Sequence, residues 1–294
     1  MKKSLKISYV LLILTFYANT LIAQDTSKIR GITLDSTNAS IDYVNVGIIG
    51  KKLGTVSNEN GFFHLTISHQ NLNDSLTFSR IGYSSKRISI AELIGKRDVK
   101  VILSPKISVI EELTFQSKRL RRKNKGNVAR SKTVVLGVVS DSSILGNEVG
   151  TIIKLPKKPI IIKDFNFHIS SNDLDSVILR LNIYDHNKDE IGKNLLNESI
   201  YFTIRNYDVG DFKVDLNKYK ILVSNSVLLS TEIVAIYDSD TTYSAGKNDI
   251  YKYKLFFSGS IIGGSKSYKR NISLATWEKI PYSFSPGFWI TYLK

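Results

Sequence analysis

The chain has no cysteine, one methionine and five prolines in 294 residues. Without cysteine there is no disulfide, no thiolate nucleophile and no cysteine-containing zinc site. A lipid anchor on an N-terminal cysteine is excluded as well. Acidic residues are scarce: 26 Asp and Glu face 41 Lys and Arg, a net charge of +15. Histidine is scarcer still. His64, His69, His168 and His186 form no HxH or HxxxH pair that would hold a metal. No GxSxG elbow and no Gly-rich phosphate loop occurs. No apolar run reaches the ~20 residues that span a bilayer as a helix. These absences close most routes to catalysis that a sequence can reveal. The expectation is a non-enzyme with no catalytic residue, no metal and no cofactor.

What is present begins with an export signal. Lys2, Lys3 and Lys6 form a basic start, and Ile7 to Tyr17 an apolar run broken only by Ser8 and Thr15. Leu21-Ile22-Ala23-Gln24 supplies the small-residue cleavage site. Residues 1–23 are therefore read as a leader, with cleavage after Ala23 and Gln24 as the mature N-terminus. Nucleic acid is the usual partner of so basic a chain, but export sets it aside. The expected partners are an envelope protein or an anionic surface polymer. The expected place is the periplasm, the outer-membrane periphery or the cell surface, with no transmembrane segment in the mature chain.

Residues 24–116 read as a small β-sandwich. Short strands rich in β-branched and aromatic residues recur at spacings near ten. The most informative stretch is Gly54-Thr55-Val56-Ser57-Asn58-Glu59-Asn60-Gly61. Its Asn-Gly step is a hairpin signal, because both residues tolerate φ > 0. The strand it launches places Phe63, Leu65 and Ile67 on one face, as core. Gly82 marks a bulge or a close approach.

Several stretches together carry a family resemblance. They are Gly31, Tyr43-Val44-Asn45-Val46, Gly54 to Phe63, Leu76 to Tyr83, Val101 to Pro105 and Ile110 to Leu113. With them, Arg30 to Glu112 resembles the carboxypeptidase regulatory-like domain, a transthyretin-like β-sandwich. The resemblance implies a non-catalytic module. In that family it precedes TonB-dependent outer-membrane transporters or sits in exported envelope proteins of Gram-negative type. No barrel pattern follows here, so the second setting is the expected one.

Residues 117–132, SKRLRRKNKGNVARSK, hold eight Lys or Arg and no acid. Such a block repels itself and stays solvated, so it reads as an interdomain linker. Contact with lipid phosphates or another polyanion is the functional alternative. Residues 133–294 read as a second, jelly-roll-like sandwich of about ten strands. Phe165, Phe167 and Ile169 alternate with Asp164, Asn166 and His168. Val177, Leu179, Leu181 and Ile183 form an inward row, with Arg180 and Asn182 outward. The fold class is thus all-β, two sandwiches in tandem.

Two readings of function stay open. In the first, the chain is an exported, non-catalytic binding, adhesion or scaffold module. In the second it is carbohydrate-binding or carbohydrate-active, with its site in the second sandwich. Trp277, Trp289 and Tyr268 would then be the ligand contacts, since aromatic faces stack on sugars. The discriminator is whether these rings line a groove with facing carboxylates or lie buried. Asp185 to Gly192 has oxygen ligands at alternate positions like a calcium loop. It lacks Gly at position six and Glu at position twelve, so it reads as a polar hairpin turn.

Overall fold

The computed structural model describes residues 26–106, 121–139, 144–188, 190–238, 253–262 and 265–293. The leader, its cleavage site and residues 107–120 lie outside these. The architecture is all β.

The first sandwich has two sheets. Its strands are β1 (Thr26–Leu34), β2 (Asn45–Gly47), β3 (Gly54–Val56), β4 (Phe62–Ser68), β5 (Ser75–Ser79), β6 (Lys86–Ser89) and β7 (Val99–Ile102). One sheet runs β4-β1-β7 and the other β3-β2-β5-β6. β1 and β7 are parallel. Gly31 sits where they meet, and a Cβ there would lie 2.1 Å from the Val99 carbonyl oxygen. Only glycine permits that approach. The alternation read from the sequence holds in β4: Phe63, Leu65 and Ile67 are buried, and His64 between them is exposed. Asn58 organises the turn. Its side-chain oxygen accepts from the Asn60 and Phe62 amides, and its carbonyl from the Gly61 amide. Gly61 follows with φ +78°. A single helical turn, α1 (Ile90–Leu93), buries Ile90 and Leu93 against this core.

The second sandwich begins earlier than its sequence pattern suggests. Its strands are β8 (Arg122–Gly126), β9 (Val135–Val139), β10 (Glu148–Lys154), β11 (Ile160–Asn172), β12 (Ser176–Asn187), β13 (Glu190–Asn194), β14 (Ile200–Arg205) and β15 (Gly210–Asp215). They continue with β16 (Leu222–Val223), β17 (Ser226–Tyr237), β18 (Tyr253–Ser260), β19 (Ser267–Arg270), β20 (Glu278–Lys279), β21 (Ser285–Pro286) and β22 (Phe288–Leu293). In one sheet β11 is central. β15 and β16 flank one side of it, β22 and β18 the other, and β8 and β9 form the outer rank. The other sheet runs β13-β12-β17-β10-β19-β20, with β14 also on β12. Phe165, Phe167, Phe257 and Phe288 meet between the sheets in tilted and edge-to-face contacts. Burying each contributes about 1.5–3 kcal/mol.

Of the segment expected to be a linker, 117–132, the described residues from 121 onward depart from that reading. Residues 122–126 form β8, paired with β22 from Trp289↔Gly126 to Leu293↔Arg122. Beyond it, the Asn127 side chain donates to the Ser285 and Pro286 carbonyls. Arg130 crosses the ring of Trp289 and makes three hydrogen bonds of 2.6–3.0 Å to Asp211 on β15. Charge repulsion keeps side chains solvated, but it leaves the backbone free to join a ladder. The strand's lysines and arginines stay exposed while its amides pair.

Candidate functional site

The feature richest in chemistry is a row of four charges across the second sheet. Register places Arg270 on β19 opposite Glu148 on β10, Glu148 opposite Glu232 on β17, and Glu232 opposite Arg180 on β12. The order of signs is plus, minus, minus, plus. All four side chains are nearly or fully buried. Arg180 Nε donates to Oε2 of Glu232 at 2.9 Å, and its Nη2 lies 2.8 Å from the same oxygen. Arg270 donates to Oε2 of Glu148 at 2.8 and 2.5 Å. Asn182 Nδ2 bridges the two carboxylates, 2.9 Å from Glu148 and 3.0 Å from Glu232. Ser230 donates to Glu148 and Ser273 to Glu232.

Two carboxylates this close invite comparison with an acid–base pair. The electrostatics argue for another role. Burial alone would raise the Glu232 carboxyl. The Arg180 and Arg270 charges, with hydrogen bonds from Ser273 and Arg180, outweigh it and hold the pKa below 4.5. A general acid at neutral pH needs the opposite shift. Glu232 is an anion locked to the Arg180 guanidinium, and Glu148 accepts hydrogen bonds from Arg270.

The row also joins the two sandwiches. Arg180 Nη1 donates to the Tyr43 carbonyl at 2.8 Å, and Nη2 to Asn45 Oδ1 at 2.5 Å. Tyr43 itself adopts φ +50°, a conformation uncommon outside glycine. Beside it, Tyr43, Val56 and Val234 form an apolar cluster with Ile178 and Tyr201. The Tyr43 and Tyr201 rings meet edge to face at 5.1 Å. The loop 271–277 threads between the sandwiches. Gly50 donates to the Leu274 carbonyl, and a Cβ on Gly54 would lie 2.7 Å from Ile272. Lys52 pairs with Glu278 at 2.6 Å. The loop is irregular because it fits between two surfaces.

The structure separates the three aromatic residues considered as ligand contacts. Trp277 and Tyr268 share the outer face of the second sheet, packed on Ile152, Tyr184 and Leu228. Arg270 lies over the Trp277 ring at 4.5 Å, and Tyr184 meets it edge to face. Trp289 is on the other sheet, 6% exposed, beneath Arg130. No common groove joins them, because β19 and β22 belong to different layers. His168 is half-buried and bonded to Ser258. The calcium-like stretch is the β12–β13 hairpin, apart from residue 189, which lies outside the described residues.

The charge row was legible only in part. Arg180 stands alone in Val177-Ile178-Leu179-Arg180-Leu181-Asn182-Ile183-Tyr184, and Glu232 alone within β17. A single charge in the middle of an apolar strand is the available signal, since such a charge is buried only when paired.

A third feature is β8. Arg122, Lys123, Asn124, Lys125 and Gly126 are all exposed. β22 pairs with one side, and among the described residues no strand pairs with the other. Arg121 precedes it, also exposed.

Comparison with known proteins agrees with the fold of the first sandwich. Residues 29–114 match the model of the CarboxypepD_reg-like domain family. The segment is a domain of that family, one typical of exported proteins. No described helix is long and apolar enough to cross a membrane. No curated protein matches the chain. Among solved structures, one match is to the cysteine protease and lectin-like domains of Cwp84, a surface layer associated protein of Clostridium difficile. Identity is 11%, TM-score 0.38, with 92% of this chain and 59% of that one covered. A second is the infectious bursal disease virus VP2 subviral particle, at 13% identity and TM-score 0.24, with 92% and 60% covered. The chain thus spans less than two thirds of either.

Proposed function

We propose that this chain is a non-catalytic binding module of the cell envelope, in which β8 contacts an anionic envelope polymer. The observation that carries this reading is the exposed Arg122-Lys123-Asn124-Lys125 strand on an open sheet edge. Its backbone is fixed by pairing with β22, so the cations are presented on a formed strand instead of a loose tail. A fixed row of like charges raises the local concentration of a polyanion. The buried carboxylates support the same reading, because Glu148 and Glu232 are committed to Arg270 and Arg180. The CarboxypepD_reg-like domain packs on the second sandwich through Tyr43 and Asn45, and serves as its structural partner.

Dextran sulfate is a suitable probe. The protein should bind it at low salt, and binding should fall away near 1 M salt, where the Debye length is about 3 Å. The triple variant Arg122→Glu, Lys123→Glu, Lys125→Glu should lose binding while keeping its melting temperature. Equal binding by the triple variant would refute the assignment of β8.

A further inference from the structure

The second sandwich is not closed along its whole edge. β8 runs close to β10. Further along, β9 and β10 part around a cleft of about 440 Å³. That volume lies within the ~300–1,000 Å³ of small-molecule sites. The cleft reaches the core between the sheets. Leu179, Ile233 and Phe257 line its inner end, and Val138 of β9 lines one wall. All four are buried and apolar.

The polar residues of the lining are Asn147, Glu148, Thr231, Lys269, Arg270 and Asn271. Lys269 pairs with Val149, which pairs with Thr231. Cross-strand partners share a face, and Val149 and Thr231 line the same cleft. Lys269 therefore stands on the cleft side of the sheet, one strand in from the edge strand β20. Its cross-strand neighbour Glu278 is held by Lys52 at 2.6 Å. Arg270 points to the opposite face, to Glu148. Asn147 also lines the cleft. Its backbone amide bonds the Ile144 carbonyl and its carbonyl the Ile233 amide, whereas among the described residues its buried Oδ1 accepts no hydrogen bond.

From this arrangement we infer that the cleft binds a single-chain amphiphile, an acyl chain with an anionic head. The chain enters between the sheets toward Phe257 and Leu179. The head stays at the mouth against the Lys269 ammonium. Asn147 Oδ1 accepts a hydrogen bond from a hydroxyl or amide where the ligand has one. An apolar interior with a few convergent polar groups at one side is what such a ligand needs. This inference does not depend on β8.

The probes are dodecanoate below its micelle concentration, dodecanol and acetate. Titration calorimetry should give saturable binding of dodecanoate, weaker binding of dodecanol and none of acetate. Lys269→Glu should weaken dodecanoate at least tenfold and leave dodecanol unchanged. Val138→Trp should fill the wall and abolish both. A diazirine-bearing dodecanoate on the unaltered protein gives an independent readout if that variant fails to fold. Crosslinks to peptides containing Val138, Asn147 or Lys269 support the site. Absence of saturable binding, crosslinks confined to other regions, or equal affinity in Lys269→Glu would overturn it.

Discussion

Glu148 and Glu232 stand directly opposite each other in the ladder between β10 and β17. Like charges in that position repel, and both are buried. The pair exists because Arg270 and Arg180 occupy the next strands outward and Asn182 donates to both carboxylates. Each member of the row is tolerable only with the others in place.

Arg180→Met should therefore cost about 3–5 kcal/mol, the usual effect of breaking a buried pair. It strands Glu232 and also removes the donors to Tyr43 and Asn45. The double variant Arg180→Met, Glu232→Met should be more stable than the single one, because no lone charge remains. Urea unfolding measures both. A wild-type midpoint for Arg180→Met would show that the row is not holding the fold.

The row also sets an acid limit. Glu232 titrates below its ordinary 4.5 in the folded state, so the unfolded chain binds its proton first as pH falls. Its contribution is complete above about 4.5 and is lost as pH drops through the lowered folded value. The melting temperature should fall steeply below pH 4.5. Glu232→Gln should start lower at pH 7 and show a shallower acid slope. Parallel curves would mean that another group governs acid unfolding.

Gly61 and Gly95 separate strain from crowding. Their φ values are +78° and +76°. A Cβ on Gly61 would meet the Thr33 carbonyl oxygen at 2.7 Å, whereas Gly95 has open space. Gly95→Ala should cost only the left-handed backbone penalty, about 1–2 kcal/mol. Gly61→Ala should cost more, and Gly61→Val more again. Equal losses at the two sites would remove the crowding argument.

Trp277 tests the carbohydrate reading. Trp277→Ala should destabilise by roughly 1–3 kcal/mol through the lost Arg270 and Tyr184 contacts, with no change on a glycan array. Glycan binding that disappears in this variant at unchanged stability would establish the carbohydrate reading instead.

Arg130 should resist trypsin while Asp211 holds it. Asp211→Asn weakens that hold and should speed cleavage after Arg130 in timed digests. Identical rates would show that the ion pair does not restrain the segment.

The first sandwich was legible because its signals are local. Asn58 to Gly61 and the alternation of Phe63, Leu65 and Ile67 encode a turn and a face within ten residues. The second was legible as strands but not as a site. Glu148 and Glu232 meet only because β10 and β17 pair, and Arg270 lies far along the chain from Arg180. β8 was missed for a different reason: its side chains describe a solvated segment accurately, whereas pairing is a property of backbone that composition does not report. Trp277 and Trp289 read alike in sequence, and only the layer each belongs to distinguishes them.

Read as a charge distribution, the Arg270-Glu148-Glu232-Arg180 row is close to a linear quadrupole. Its net charge is zero and the dipoles of its two halves oppose, so its field fades within a short distance. β8, with cations and no acid, projects a monopole that reaches as far as the ionic atmosphere permits. Dissolved salt should consequently act on the two separately, switching the outer surface off while leaving the seam between the sandwiches untouched.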